Sequence, residues 1–178
     1  MADLKDQTVR VNNQVEAATV EQLGGIPVLV AINQTSEMLS DGKIDAATVP
    51  PAMLFQFGVG RVTSHHFMIH LGGTPTAIVM NRAKFESLPP QAQAIIRKYS
   101  GEWLAERGTA GMDAANAAAL EQIKADPRRT VTFPSNADAA KIESIYAAFD
   151  EQWASLTRHN RELLDQVRAA LAKLRSNN

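Results

Sequence analysis

The chain has 178 residues, 18 basic and 19 acidic side chains, and a net charge of −1. Its 45% hydrophobic content supplies a core for one ordinary domain, or one domain with an appendage, and excludes a disordered chain. The charge balance excludes the basic face that nucleic acid or an anionic membrane selects, and the lack of cysteine excludes disulfides, thiol nucleophiles and thiolate metal sites.

The chain opens with "MADLKDQ", which lacks the basic-then-apolar shape of a signal peptide and leaves a cytoplasmic protein or a fragment. Residues 8–11, "TVRV", alternate and read as a short strand, with Arg10 between two valines. A helix follows over 14–23, closed by Gly24 and Gly25. "IPVLVA", 26–31, is nearly all apolar and reads as a strand buried on both faces. Asn33 is placed to cap a short helix through Leu39, and "SDGK" turns the chain into a third strand over 44–49. Pro50 and Pro51 stop that strand, and "AMLFQF" makes one or two helical turns. Between Val62 and Met80 two β-like runs, "VTSHHFMIHL" and "TAIVM", flank "GGTP". Short β and α units in alternation predict an α/β fold with a parallel or mixed sheet flanked by helices.

The second half is helical. "SLPP" is a helix-start signal, and a helix spacing runs from Pro90 to about Ala125 through three glycines. Such a helix would be roughly 50 Å long, more than a compact domain needs. Its alanine-rich stretch, 110–119, reads as tight helix packing. "RRTVTFP" gives one more strand, and 136–157 and 161–174 give two amphipathic helices. No run approaches the roughly 20 apolar residues that cross a bilayer.

Few residues suggest chemistry. His65 and His66 are adjacent on a strand and face opposite ways, and His66 and His70 lie roughly 13 Å apart along it, so no metal site is expected. His159 is a surface histidine at a helix junction. No nucleophile motif or phosphate-cradling glycine loop is recognisable, and the aromatics read as core, so neither an enzyme nor a cofactor is expected. Arg10 admits two readings, a solvated strand-end charge or a cation aimed into a cleft. Taken alone, the solvated reading is the simpler one.

The order of matched positions bears on that choice. Leu4-Lys5, Arg10-Val11, Asn13, Leu23-Gly24, Pro27, Leu39, Gly42, Asp45, Pro50, His70, Pro75, Asn81, Phe85 and Leu88-Pro89-Pro90 together resemble the solute-binding proteins (DctP-type) of tripartite ATP-independent periplasmic (TRAP) transporters. The resemblance covers residues 3 to about 110, and the tail fits only in its strand-then-helices layout. It implies a non-catalytic periplasmic receptor for a small organic carboxylate, serving sodium-coupled import with membrane subunits. Such receptors have two α/β lobes and are about twice this length, so the chain looks like the C-terminal part.

On that reading 1–75 and 116–178 form the C-terminal lobe of a two-lobe periplasmic-binding-protein-like fold. Residues 76–115 are then a strand and a long helix that cross to the other lobe. Arg10 matches the arginine that bridges a ligand carboxylate, and Asn13 a position that hydrogen-bonds ligand. Val49, beside Pro50, stands where an asparagine is usual, Ile32 replaces an aromatic and Ala46 a glycine. The implied ligand is therefore less polar than a sugar acid or dicarboxylate. Without the other lobe, the chain is expected to pair with a second copy through Ile78, Ile96 and Trp103, and a self-associating domain without ligand is the alternative.

Overall fold

Valines flanking a single arginine make the first strand, β1 (Thr8–Val11), the buried centre of a small sheet. The computed structural model describes residues 4–73 and 76–176. After β1 come α1 (Gln14–Gln22), β2 (Ile26–Leu29), α2 (Thr35–Ser40), β3 (Ala46–Ala47), α3 (Pro51–Gln56) and β4 (His65–Phe67). Then follow α4 (Arg82–Glu86), α5 (Pro90–Lys98), α6 (Glu102–Ala125), β5 (Thr130–Thr132), α7 (Asn136–Ser155) and α8 (Arg158–Ser176). Strands pair in parallel throughout: one sheet in the order β2-β1-β3 and a second of β4 with β5. The expected α/β architecture with flanking helices is present.

Val9, Val11 and Val20 form one core cluster, on which Leu4, Ala17 and Ala46 pack. A second joins Leu54, Val59 and Ile123, with Leu39, Val49, Phe55, Phe57 and Val131 around it. Ile123 carries the C-terminal end of α6 into that cluster, and Asn116 Oδ1 accepts from Ala52 N at 3.0 Å about two turns earlier. Arg129, just before β5, pins the 3-10 turn Val59–Arg61 to β4: Nη1 donates to Thr63 O at 2.9 Å, Nη2 to Gly60 O, and Nε to Asp126 at 3.1 Å.

Several expectations need correction. β2 is half exposed, with Ile26 and Leu29 open, because it is the edge of its sheet and not a central strand. Asn33 lies inside the 3-10 turn Ile32–Gln34 and makes no cap for α2. β3 keeps only two residues. Among the described residues the run 62–80 holds one strand, β4; residues 76–80 form none, and Ile78 and Val79 are more than four-fifths exposed. β-propensity without a partner strand leaves the backbone unpaired. Pro75 and Thr74 lie outside the described residues, as do residues 1–3, 177 and 178.

The single long helix is two helices. Gly101, at φ 63° and ψ −134°, takes a backbone conformation closed to residues with a Cβ, and turns the chain between α5 and α6. The alanine run is exposed except at Ala119. α4 was not anticipated; Asn81 Oδ1 caps it by accepting from Lys84 N at 3.0 Å. The last helix begins at Arg158, three residues earlier than the sequence spacing gives. No described residue between 76 and 115 is buried.

Candidate functional site

β1 lies between β2 and β3, so the chain lays its second strand on one side and its third on the other. In open parallel sheets that reversal leaves a crevice outside the carboxyl ends of the strands. Arg10 stands at that end of β1, and it is not solvated: the residue is 3% exposed. Its Nε donates to Val30 O at 3.0 Å, just past β2, and its Nη1 donates to Thr48 O at 3.2 Å, just past β3. Nη1 also donates to Asn12 Oδ1 at 2.6 Å, just past β1. The guanidinium is thus fixed to the chain leaving all three strands.

Nη2 is different. Among the described residues it donates to no acceptor, and the buried side-chain polar atom lacking a partner is Thr35 Oγ1 rather than Nη2. Nη2 therefore keeps contact with solvent, and its two N–H donors remain for an acceptor from outside. Burial lowers the pKa of the guanidinium from its ordinary value, and the Glu16 carboxylate opposes that shift. Arginine is a permanent cation in the physiological range.

Behind the arginine is a polar network. Glu16, 5% exposed in the first turn of α1, accepts from Asn12 N at 2.9 Å, from Asn12 Nδ2 at 2.9 and 3.1 Å, and from Thr48 Oγ1 at 2.5 Å. Asn13 caps α1, its Oδ1 accepting from Glu16 N at 2.9 Å while its Nδ2 donates to Glu16 Oε1 at 3.1 Å. Of the five expected ligand positions, Arg10 and Asn13 share this network. Ile32 is half-buried in the 3-10 turn after β2, Val49 packs on the Leu54 cluster, and Pro50 is exposed before α3. These three add no hydrogen bond, as their side chains dictate.

Asn12 and Glu16, which hold this network together, were not singled out by the sequence reading. Signals for both exist: Asn12 shares a face with Arg10 at the two-residue strand period, and Asn13-x-x-Glu16 has the spacing of an N-terminal capping motif.

A second cleft, of about 580 Å³, opens between α1, the chain after β4, and α7, lined by Val15, His70, Gly72, Tyr146, Phe149 and Trp153. Tyr146 Oη donates to His70 O at 3.4 Å. Gly72, at φ 124°, allows the chain to pass close to Glu16: a Cβ there would stand 3.4 Å from Glu16 Cγ. Burial raises the pKa of the Tyr146 hydroxyl. The histidines have separate partners: His65 Nδ1 lies 3.0 Å from Ser64 Oγ, and His66 Nε2 is 3.3 Å from Arg129; burial first, and then the Arg129 charge, lower the His66 pKa. Among the described residues no group of three or more His, Asp or Glu is placed to hold a metal ion, and no helix is long and apolar enough to cross a membrane.

Comparison with known proteins agrees with this layout. Residues 1–160 match the family described as bacterial extracellular solute-binding protein, family 7. A C4-dicarboxylate-binding periplasmic protein of Rhodobacter capsulatus is 23% identical over 91 residues, 51% of this chain and 27% of that protein. The fold superposes on a TRAP periplasmic solute-binding protein of Bordetella bronchiseptica with bound (R)- and (S)-mandelate, with TM-score 0.81 and 22% identity. It superposes equally, at 0.81 and 25% identity, on a TRAP solute-binding protein of Rhodoferax ferrireducens in complex with benzoate. The periplasmic ectoine-binding protein of a Halomonas elongata TRAP transporter gives TM-score 0.81 and 22% identity. The alignments cover 97%, 97% and 96% of this chain and 56% of each solved chain, so the chain spans about half the length of these relatives.

Proposed function

The chain belongs to the bacterial extracellular solute-binding proteins of family 7, and from that membership we propose that it serves as the ligand-anchoring lobe of a periplasmic TRAP receptor. Members of the family are receptors and not catalysts. The ligand is a small organic carboxylate, delivered to TRAP membrane subunits for sodium-coupled import. Arg10 carries the reading: a buried guanidinium, fixed by three protein acceptors, keeps two donors on Nη2 for an anion. A positioned guanidinium in a partly dry crevice fixes both place and orientation of a carboxylate. Asn13 lies beside it, while Ile32, Val49 and Pro50 supply apolar walls in place of polar ligand contacts. That wall composition favours a less polar carboxylate than a sugar acid or dicarboxylate, and the mandelate and benzoate bound by structural neighbours support it.

Residues 1–75 with 116–178 then make one lobe, and 76–115 reach to a second lobe. The absence of any buried residue between 76 and 115 supports that division. Isolated, the lobe binds carboxylates weakly, at millimolar concentration or worse, because closure of a second lobe excludes water and adds contacts. Calorimetric titration with a carboxylate panel tests this: Arg10→Lys abolishes binding, whereas micromolar binding by a monomer, or full binding by Arg10→Lys, refutes it.

A second reading, a self-associating domain, is favoured by the exposure of Ile78, Ile95 and Trp103. A second copy would cover that face, burying Ile78, Ile96 and Trp103. Light scattering at micromolar concentration on wild type and Ile96→Asp tests it; a monomer indifferent to the substitution ends it.

A further inference from the structure

We propose that Glu16 sets how the anchor receives an anion: it positions Arg10 through Asn12 and, by countering the guanidinium charge, favours ligands with one carboxylate over ligands with two. The inference rests on the reading of Arg10 as the ligand anchor.

The positioning follows from donors and acceptors. An asparagine amide can turn either end toward a neighbour. Here both oxygens of Glu16 take Asn12 Nδ2, at 3.1 and 2.9 Å, so the Oδ1 end must face the other way. That end accepts from Arg10 Nη1 at 2.6 Å. The reversed amide would press an NH2 group against the guanidinium and leave Glu16 short of a donor. Thr48 does the same from the carboxyl end of the neighbouring strand, its Oγ1 donating to Glu16 Oε2 while its carbonyl accepts from Nη1. Glu16 thereby occupies Nη1 at second hand and leaves Nη2 as the open side of the fork.

The charge argument is independent of the positioning. The network holds one cation, Arg10, and one buried anion, Glu16, so it is neutral before a ligand arrives. The first carboxylate of a ligand gains the guanidinium. A second carboxylate meets only the uncompensated field of Glu16, in a crevice where charges act more strongly than in water.

The test uses the 15N-labelled 178-residue chain, with butyrate and succinate as probes that share a four-carbon skeleton and differ by one carboxylate. Titrations are followed on the Arg10 Nε–Hε correlation and on the backbone amides of Asn12 and Asn13, which also serve for Arg10→Lys. In wild type, butyrate shifts that signal saturably and binds about tenfold more tightly than succinate. Arg10→Lys abolishes both interactions; if it binds like wild type, the anchor reading itself fails. Glu16→Gln keeps the side-chain volume but sets an NH2 group against the Asn12 and Thr48 donors. Butyrate affinity then falls about fivefold and the butyrate-to-succinate ratio drops toward one. Equal weakening of both probes means a merely structural Glu16 and overturns the proposal, as does a wild-type chain without preference. Asn12→Ala decides the positioning even if Glu16→Gln does not fold: it weakens butyrate and moves the Arg10 signal while the ratio persists. An unchanged signal and affinity overturn it.

Discussion

Ile123→Ala removes the side chain that holds α6 to the lobe. Ile123 is 1% exposed between Leu54 and Val59 and is among the largest fully buried side chains. Cutting an isoleucine to alanine in such a site leaves a cavity that its neighbours fill only in part, and costs about 2–5 kcal/mol. Trp103, on the same helix, is 38% exposed; Tyr99 meets its ring at 4.8 Å and Arg107 lies 4.0 Å from its centroid. Those contacts are local to the turn between α5 and α6, so Trp103→Ala should cost less than about 1 kcal/mol of global stability. Urea unfolding by circular dichroism, at a concentration low enough to keep the chain monomeric, measures both. Should the first variant move the midpoint so far that the native baseline is lost, Ile123→Val, at about 1 kcal/mol, keeps the comparison within range. Equal costs at the two positions would refute the division of α6 into a docked half and an undocked half.

Three further outcomes follow from single contacts. Arg129→Met strands the carbonyls of Gly60 and Thr63 and costs about 2–4 kcal/mol in thermal or urea unfolding; Arg129→Lys retaining wild-type stability within about 1 kcal/mol would show that the planar fork is not needed. Gly101→Ala forces a Cβ into a glycine-only conformation and melts the α5–α6 elbow by about 1–3 kcal/mol, read as loss of amide protection over residues 95–106. Glu151, bonded to Arg161 at 2.7 Å and Arg168 at 2.8 Å, has its pKa lowered from 4.5 to about 2 by those hydrogen bonds, Arg161 first. Because the folded value lies below the unfolded one, its contribution is complete above about pH 4.5 and is lost as pH falls toward 2. The α7–α8 pair should therefore loosen over that window in hydrogen exchange, less in high salt and not in Glu151→Gln, and a pH profile identical in that variant would remove the ion pairs from the account.

What the sequence revealed and what it hid divide along a physical line. The order of β1, α1, β2, α2, β3 and α3 was legible because each carries its own local signal: β-branched residues, caps, or paired prolines. The failures depend on partners. "IPVLVA" looks buried because all its residues are apolar, yet an edge position leaves Ile26 and Leu29 open. "TAIVM" has β composition but pairs with no strand among the described residues, so it forms none and stays exposed. The 36-residue helical spacing persists across Gly101 because periodicity does not register a single residue whose backbone reverses direction. The resemblance singles out Arg10 and Asn13 for the proposed site; the buried Glu16 network behind them carries no such signal, because a carboxylate in the first helical turn is ordinarily just a favourable end charge.

Arg10 also shows why a site of this kind belongs at the carboxyl ends of a parallel sheet. A buried guanidinium is tolerated only where enough acceptors converge to offset its lost hydration. Strands running the same way deliver this, since their C-terminal ends release several chains side by side before each departs on its own turn. Here the chain past β2 gives Val30 O, past β3 Thr48 O, and past β1 the Asn12 amide. Antiparallel neighbours would spread those acceptors over both ends of the sheet and leave the charge half served. The helix that follows β1 then brings Glu16 up from behind, at the end where a carboxylate is stabilised by free N–H groups. Three acceptors and one distant counter-charge fix the cation without completing it. A fourth internal acceptor would make the arginine a structural bolt; with the two Nη2 donors unclaimed among the described residues, it can serve as the anion anchor we propose.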